Sequence, residues 1–209
     1  MSIDLLAVVL VAANVLGAAM AVPQAVKLYR TRCSEGISLS WAVISATVNA
    51  GWGWYGIGVG DLGIVPVSVV SVLAYLLITL LIVRHGRPAI LAPTLAVVGA
   101  TAVVALAGWL GGWAAAGIAL GGLYAVQLSP AVVSVYRAVD VRGVSVSTWL
   151  IALVEAVLWG GYGLARVDIG LLALAVSGVS MSALVLARLV VRRPRRTRHL
   201  VPAPAFAAA

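Results

Sequence analysis

Residues 23–63 read PQAVKLYRTRCSEGISLSWAVISATVNAGWGWYGIGVGDLG, and residues 130–170 read PAVVSVYRAVDVRGVSVSTWLIALVEAVLWGGYGLARVDIG. Aligned without a gap at a shift of 107 residues, 14 of the 41 positions are identical. Among them are Pro23/Pro130, Tyr29/Tyr136, Arg30/Arg137, Gly36/Gly143, Ser38/Ser145, Trp52/Trp159, Tyr55/Tyr162 and Asp61/Asp168. A composition rich in Ala, Val, Leu and Gly gives roughly one chance match in ten, so the chain holds an internal duplication. Its period is too long for a solenoid.

Outward from the repeat, the composition is that of a membrane protein. Of 209 residues, 63% are hydrophobic and 10% charged, and the mean hydropathy is +1.13. A soluble domain has about a quarter of its residues charged. Apolar runs long enough to cross roughly 30 Å of hydrocarbon recur at Leu5–Val26, Ile37–Val59, Leu62–Val83, Ala89–Leu110, Trp113–Val135, Val144–Ala165 and Ile169–Val191. Pro23, Pro66 and Pro130 mark expected kinks, and Gly111 and Gly112 an expected turn. The N-terminus carries Asp4 and no basic residue, which favours an uncleaved first helix over a secretory signal.

The fourth run has no counterpart in the repeat. The layout is therefore three spans, one linker span and three spans: residues 1–87, 88–111 and 112–191, with a basic, Pro/Ala-rich tail at 192–209. Three helices end on the opposite side of the bilayer from their start, so one added crossing restores the orientation of the second copy. The expected fold is all-α, with seven transmembrane helices in two parallel three-helix bundles. With the N-terminus outside, 13 of the 14 basic residues fall on the cytoplasmic side, Arg166 excepted, and Asp4, Asp61 and Asp168 face outward. The net charge of +8 thus reflects membrane topology rather than nucleic-acid binding, and the tail suits anionic lipid. The lone Cys33 excludes an internal disulfide. No metal cluster, nucleophile elbow or phosphate loop appears, so neither an enzyme nor a cofactor is expected.

Pro-Gln at the end of the first helix, a short basic loop, Gly-Ile-Ser, then Trp-x-x-Tyr-Gly and an Asp turn resemble a PQ-loop repeat. Two copies in a seven-span frame, over residues 5–191, resemble the SWEET transporters, whose half-size bacterial relatives are the SemiSWEETs. The resemblance implies facilitated diffusion of a small solute, usually a mono- or disaccharide, by alternating access in the plasma membrane. It places Trp52 and Trp159 on a pocket between the bundles, where indole faces suit sugar C–H surfaces; a place in the interfacial aromatic belt is the alternative. It assigns Tyr55, Asp61, Tyr162 and Asp168 to an outer gate, with Tyr55–Asp168 and Tyr162–Asp61 as crossed pairs. The alternative is that each Asp caps the helix it precedes. Pro23, Gln24 and Pro130 match the inner hinge.

The chain also departs from that pattern. The family's pocket Asn positions hold Ser68 and Ala175, Gln24 is replaced by Ala131 in the second copy, and the prolines of the second and sixth helices are missing. Glu155 instead stands one turn before Trp159 on the same helical face. Its repeat partner is Val48, next to Asn49, so these residues join the candidate substrate site. An ionisable group deep in a span is a functional candidate. Three readings of Glu155 stand: a proton carrier, as in lysosomal PQ-loop relatives; a partner for a cationic or hydroxylated substrate; or a protonated side chain bonded to a neighbouring helix. Three functions follow: a sugar uniporter, a proton-coupled carrier of an amino acid or other metabolite, or a non-transporting receptor or scaffold. A single chain holds both pocket halves, so a homo-oligomer is compatible with transport but not required.

Overall fold

A computed structural model describes residues 3–31, 38–85, 89–137 and 144–191. The loops 32–37, 86–88 and 138–143 and the tail 192–209 lie outside the described residues. With them lie the expected anionic-lipid contact of the tail and, within the first helix, the side chains of Pro23 and Gln24.

The described chain is all-helical: α1 (Ile3–Thr31), α2 (Leu39–Gly58), a 3-10 turn (Leu62–Ile64) leading into α3 (Val65–His85), then α6 (Val146–Arg166) and α7 (Ile169–Val191). Between α3 and α6 the run Leu91–Arg137 breaks at Gly111 and Gly112 into α4 (91–110) and α5 (113–137). Gly112 takes φ 65° and ψ −158°, a region essentially closed to residues with a Cβ. Gly112 is therefore what permits the turn.

Four helical stretches are long and apolar enough to cross a bilayer: Leu62–Arg84, Leu91–Arg137, Val146–Arg166 and Ile169–Val191, and the second has length for two crossings. Leu5–Met20 of α1 is a shorter apolar segment, and α2 has no charged side chain in its 20 residues. In hydrocarbon every backbone polar group must be satisfied within the protein, which helices do. Rows of exposed apolar side chains run along them: Val8, Val11 and Val15 on α1; Leu73, Leu76 and Leu80 on α3; Val154 and Val157 on α6. In water such faces would aggregate; in a bilayer they meet lipid. The chain is a multi-pass membrane protein.

α3 packs on α1 and α2, and α7 packs on α6 and the α4–α5 run. Between these groups α1 meets α6, and α2 meets the α4–α5 run. Small residues set the closest approaches. A Cβ at Gly121 of α5 would lie 2.6 Å from Ala173 Cβ and 2.7 Å from Leu174 N of α7, and one at Gly117 would lie 2.8 Å from Gly170 Cα. Gly121 corresponds by repeat to Asn14 of α1, where contact is made differently. Asn14 Nδ2 donates to Leu10 O and, at 3.1 Å, to Gly63 O, while Asn14 Oδ1 accepts from Val67 N at 2.9 Å. One amide thereby ties α1 to the start of α3.

The three prolines lie within or at the start of helices. α1 continues through Pro23 to Thr31. Pro66 is the second residue of α3, where no N–H is needed and Pro is well tolerated; it starts the helix rather than bending it. α5 continues through Pro130, which leaves the carbonyl of Val126, four residues back, without its usual donor. The Ser129 hydroxyl donates to that carbonyl at 2.9 Å.

Candidate functional site

The repeat places the same turn at the same end of both halves. Ser38 and Ser145 are the N-caps of α2 and α6, each accepting from a backbone N–H three residues on at 3.3 Å. At the far end of these helices the chain folds back, Asp61 N donating to Gly56 O and Asp168 N to Gly163 O, both at 2.8 Å. A Cβ at Gly56 would sit 3.0 Å from Asp61 O, and one at Gly163 2.8 Å from Leu171 Cβ, so the Gly of each Tyr-Gly makes room for its own turn. Gly60 in the first turn has φ 73°, and the repeat-equivalent Val167 has φ 54°. It is the one non-Gly residue with positive φ among the described residues.

These turns deliver two carboxylates to the two tyrosines, crosswise. Tyr55 OH donates to Asp168 Oδ1 at 2.7 Å. Tyr162 OH donates to Asp61 at 2.9 Å to Oδ1 and 2.8 Å to Oδ2. Both expected pairs are made, and both aspartates also cap: Asp61 Oδ1 accepts from Gly63 N at 3.1 Å and Asp168 Oδ1 from Leu171 N at 3.0 Å. Capping and pairing are thus one arrangement, since the bond to the backbone aims the carboxylate. Asp61 additionally holds Arg166 Nε at 3.3 Å, a contact absent from sequence expectation. Behind the tyrosines stand Trp52 and Trp159, edge-on to Tyr55 at 5.4 Å and to Tyr162 at 6.1 Å between ring centroids.

Below this aspartate end lies a cavity of about 280 Å³. Its walls include Trp52 and Asn49 of α2, Ser68 of α3, Gln127 of α5, and Glu155 and Trp159 of α6. Trp52 and Trp159 are 5% and 3% exposed: they line the space between the helices rather than an outer belt. Glu155 lies one turn from Trp159, as helical spacing requires, and Glu155 Oε1 accepts from Trp159 Nε1 at 3.2 Å. Gly17 of α1 faces the carboxylate; a Cβ there would come 2.9 Å from Glu155 Oε1.

The other site candidates divide. Asn49 lines the cavity with Nδ2 committed to Ser45 O at 2.8 Å. Ser68 lines it with its hydroxyl committed to Ile64 O at 3.0 Å. Ala175 packs against Gly160, 3.0 Å from where its Cβ would be, and is not among the cavity's lining residues. Pro130 is exposed on α5, away from the cavity lining. Reading the sequence missed Gln127, Tyr124 and Tyr75, which also line the cavity. The signal for Gln127 was available: an amide inside an apolar span, at the position where the first copy has Met20. A larger space of about 680 Å³ between α2, α4 and α5 has a nearly all-apolar lining, so the polar chemistry belongs to the smaller cavity.

Among solved structures, that of a eukaryotic SWEET transporter, determined at 3.7 Å, superposes with a TM-score of 0.67 at 17% identity, over 90% of this chain and 98% of that one. No protein-family model matches the chain, and no curated protein matches it. The likeness shows a shared fold: this chain has the fold of a SWEET transporter.

Proposed function

We propose that the chain is a membrane transporter that moves a small solute by alternating access through the 280 Å³ cavity. The carrying observation is that cavity's lining, drawn from helices of both halves, with Trp52 and Trp159 of its wall packed against the tyrosines of the crossed Tyr–Asp pairs. In this reading α1–α3 and α5–α7 form two parallel bundles and α4 is the linker. Its support is that each helix contact has its partner one repeat later: α1 with α3 as α5 with α7, α2 with α3 as α6 with α7, and α1 with α6 as α5 with α2. Tyr55, Asp61, Tyr162 and Asp168 act as a latch, and Pro23, Gln24 and Pro130 belong to the hinge at the opposite end. The distribution of basic residues puts the aspartate end outside and the C-terminus in the cytoplasm of a plasma-membrane protein.

A sugar as the solute is supported by the Trp52 and Trp159 faces in the cavity wall. A second reading, a carrier using Glu155 for coupling or recognition, is favoured by that carboxylate's place in the cavity wall. Purified protein in liposomes should move at least one labelled solute from a panel of sugars, amino acids and amines, and Trp52→Ala should abolish that flux. Absence of flux for every class, with a stable protein partner recovered by crosslinking, would overturn the transporter in favour of a receptor or scaffold.

A further inference from the structure

Two lining residues carry polar atoms with no hydrogen-bond partner among the described residues: Trp52 Nε1, a donor, and Gln127 Oε1, an acceptor. Trp52 and Gln127 are 5% and 7% exposed. Buried polar groups are almost always paired, so two orphans on one cavity point to what the cavity holds. Among the described residues, Glu155 is the one acidic residue of that lining, and no Lys, Arg or His lies in it. The carboxylate is hydrogen-bonded by the Trp159 indole N–H and by the Tyr124 hydroxyl, and among the described residues no counter-cation accompanies it. The rings of Trp41, Trp52, Tyr75, Tyr124 and Trp159 surround the same space, and aromatic faces attract cations by their quadrupoles, quaternary ammonium among them.

These features select among solutes. A neutral sugar uses the rings and leaves the carboxylate uncompensated. A zwitterionic amino acid brings a second carboxylate for which the described lining has no cation. An ammonium satisfies Glu155 and stacks on the rings, and an oxygen-bearing tail can both accept from Trp52 Nε1 and donate to Gln127 Oε1. We propose that the cavity binds a small organic monocation, an ammonium carrying a hydroxyl group, with Glu155 as its counter-ion and Gln127 reading the hydroxyl. This rests on the transporter reading and names its substrate class. The volume agrees, since 280 Å³ falls just below the roughly 300–1,000 Å³ of pockets for drug-sized ligands.

The test uses the full chain in detergent and in liposomes, with ethanolamine and choline as probes against glucose and alanine. Both amines should raise the thermal unfolding temperature and enter vesicles faster under an inside-negative potential. Glu155→Gln should weaken amine binding by roughly 10- to 100-fold, the loss of one charge-assisted contact. Gln127→Met, which installs the first copy's residue at nearly the same volume, should cut the preference for ethanolamine over ethylamine while both still bind. Should Glu155→Gln fail to fold, the Gln127→Met selectivity and the voltage dependence still decide. Sugar or alanine transport with no amine binding, or amine binding unaffected by both variants, overturns the monocation assignment and leaves the transporter standing. No flux of any probe overturns both.

Discussion

Removing the Tyr55 hydroxyl tests the latch where its strength can be worked from distances. In Tyr55→Phe, Asp168 loses a 2.7 Å bond and keeps the Leu171 N–H; in Tyr162→Phe, Asp61 loses bonds of 2.9 and 2.8 Å but keeps Gly63 N–H and Arg166. A hydrogen bond to a charged acceptor contributes about 1.5–3 kcal/mol net. Each bond joins one half of the molecule to the other, so its loss shifts the closed-to-open ratio at the aspartate end by about 10- to 150-fold. Tyr55→Phe should shift it more than Tyr162→Phe, because Asp61 retains a cation. Spin labels on Leu62 and Ile169, exposed at 67% and 51% and equivalent by repeat, would report the separation in a background lacking Cys33. Both variants should lengthen the labelled distance, and Tyr136→Phe at the opposite end should leave it alone. An unchanged distance distribution in the Tyr55→Phe/Tyr162→Phe double variant would refute the latch and leave the aspartates as caps only.

Three further outcomes follow from local geometry. Val167 is 89% exposed in a left-handed conformation, so Val167→Gly sheds roughly 1–2 kcal/mol of strain against roughly 0.4–1 kcal/mol of added unfolded-state entropy. It should raise the unfolding temperature in detergent, and Gly60→Val should lower it; the reverse order would show the strain to be illusory. Gly17→Ala puts a methyl 2.7 Å from Val67 Cγ2 and 2.9 Å from Glu155 Oε1, so something must shift, and solute flux should fall with the protein still folded; wild-type flux would mean that the Glu155 position is not critical. Asn14→Leu orphans Val67 N–H and Gly63 O, a loss of about 1–3 kcal/mol per group left unpaired; unchanged thermal stability would contradict the account of how α1 meets α3.

Comparing the copies within one sequence reached a long way, because duplication supplies its own control. The break at Gly111–Gly112 follows from chain stereochemistry, and the crossed Tyr–Asp pairs came from the resemblance that the recurring residues carry; Ser38 and Ser145 as caps, and the Gly of each Tyr-Gly folded under its turn, came only with the structure. What escaped are places where the copies solve one problem by different means. Asn14 holds α1 to the start of α3 by hydrogen bonds and Gly121 holds α5 to α7 by bare backbone approach, and no pattern match pairs an amide with a glycine. Gln127 and Met20 escaped likewise, since apolar periodicity says nothing about which face of a membrane helix meets lipid. Pro66 misled because a proline in the first turn of a helix needs no donor, and at Pro130 the Ser129 hydroxyl supplies one to Val126 O.

The two-glycine break before α5 carries a consequence for symmetry. A transporter assembled from two identical three-helix chains would show every cavity residue twice, so a carboxylate could be absent or doubled but never single. Two carboxylates facing each other across a space this small would repel, and one would have to take up a proton to relieve it. Because both copies lie in one chain, Glu155 can differ from its repeat-equivalent Val48, and Gln127 from Met20, on the same cavity. Odd-numbered chemistry, one acid and one amide, is open to a chain whose two copies can diverge and closed to a pair of identical ones.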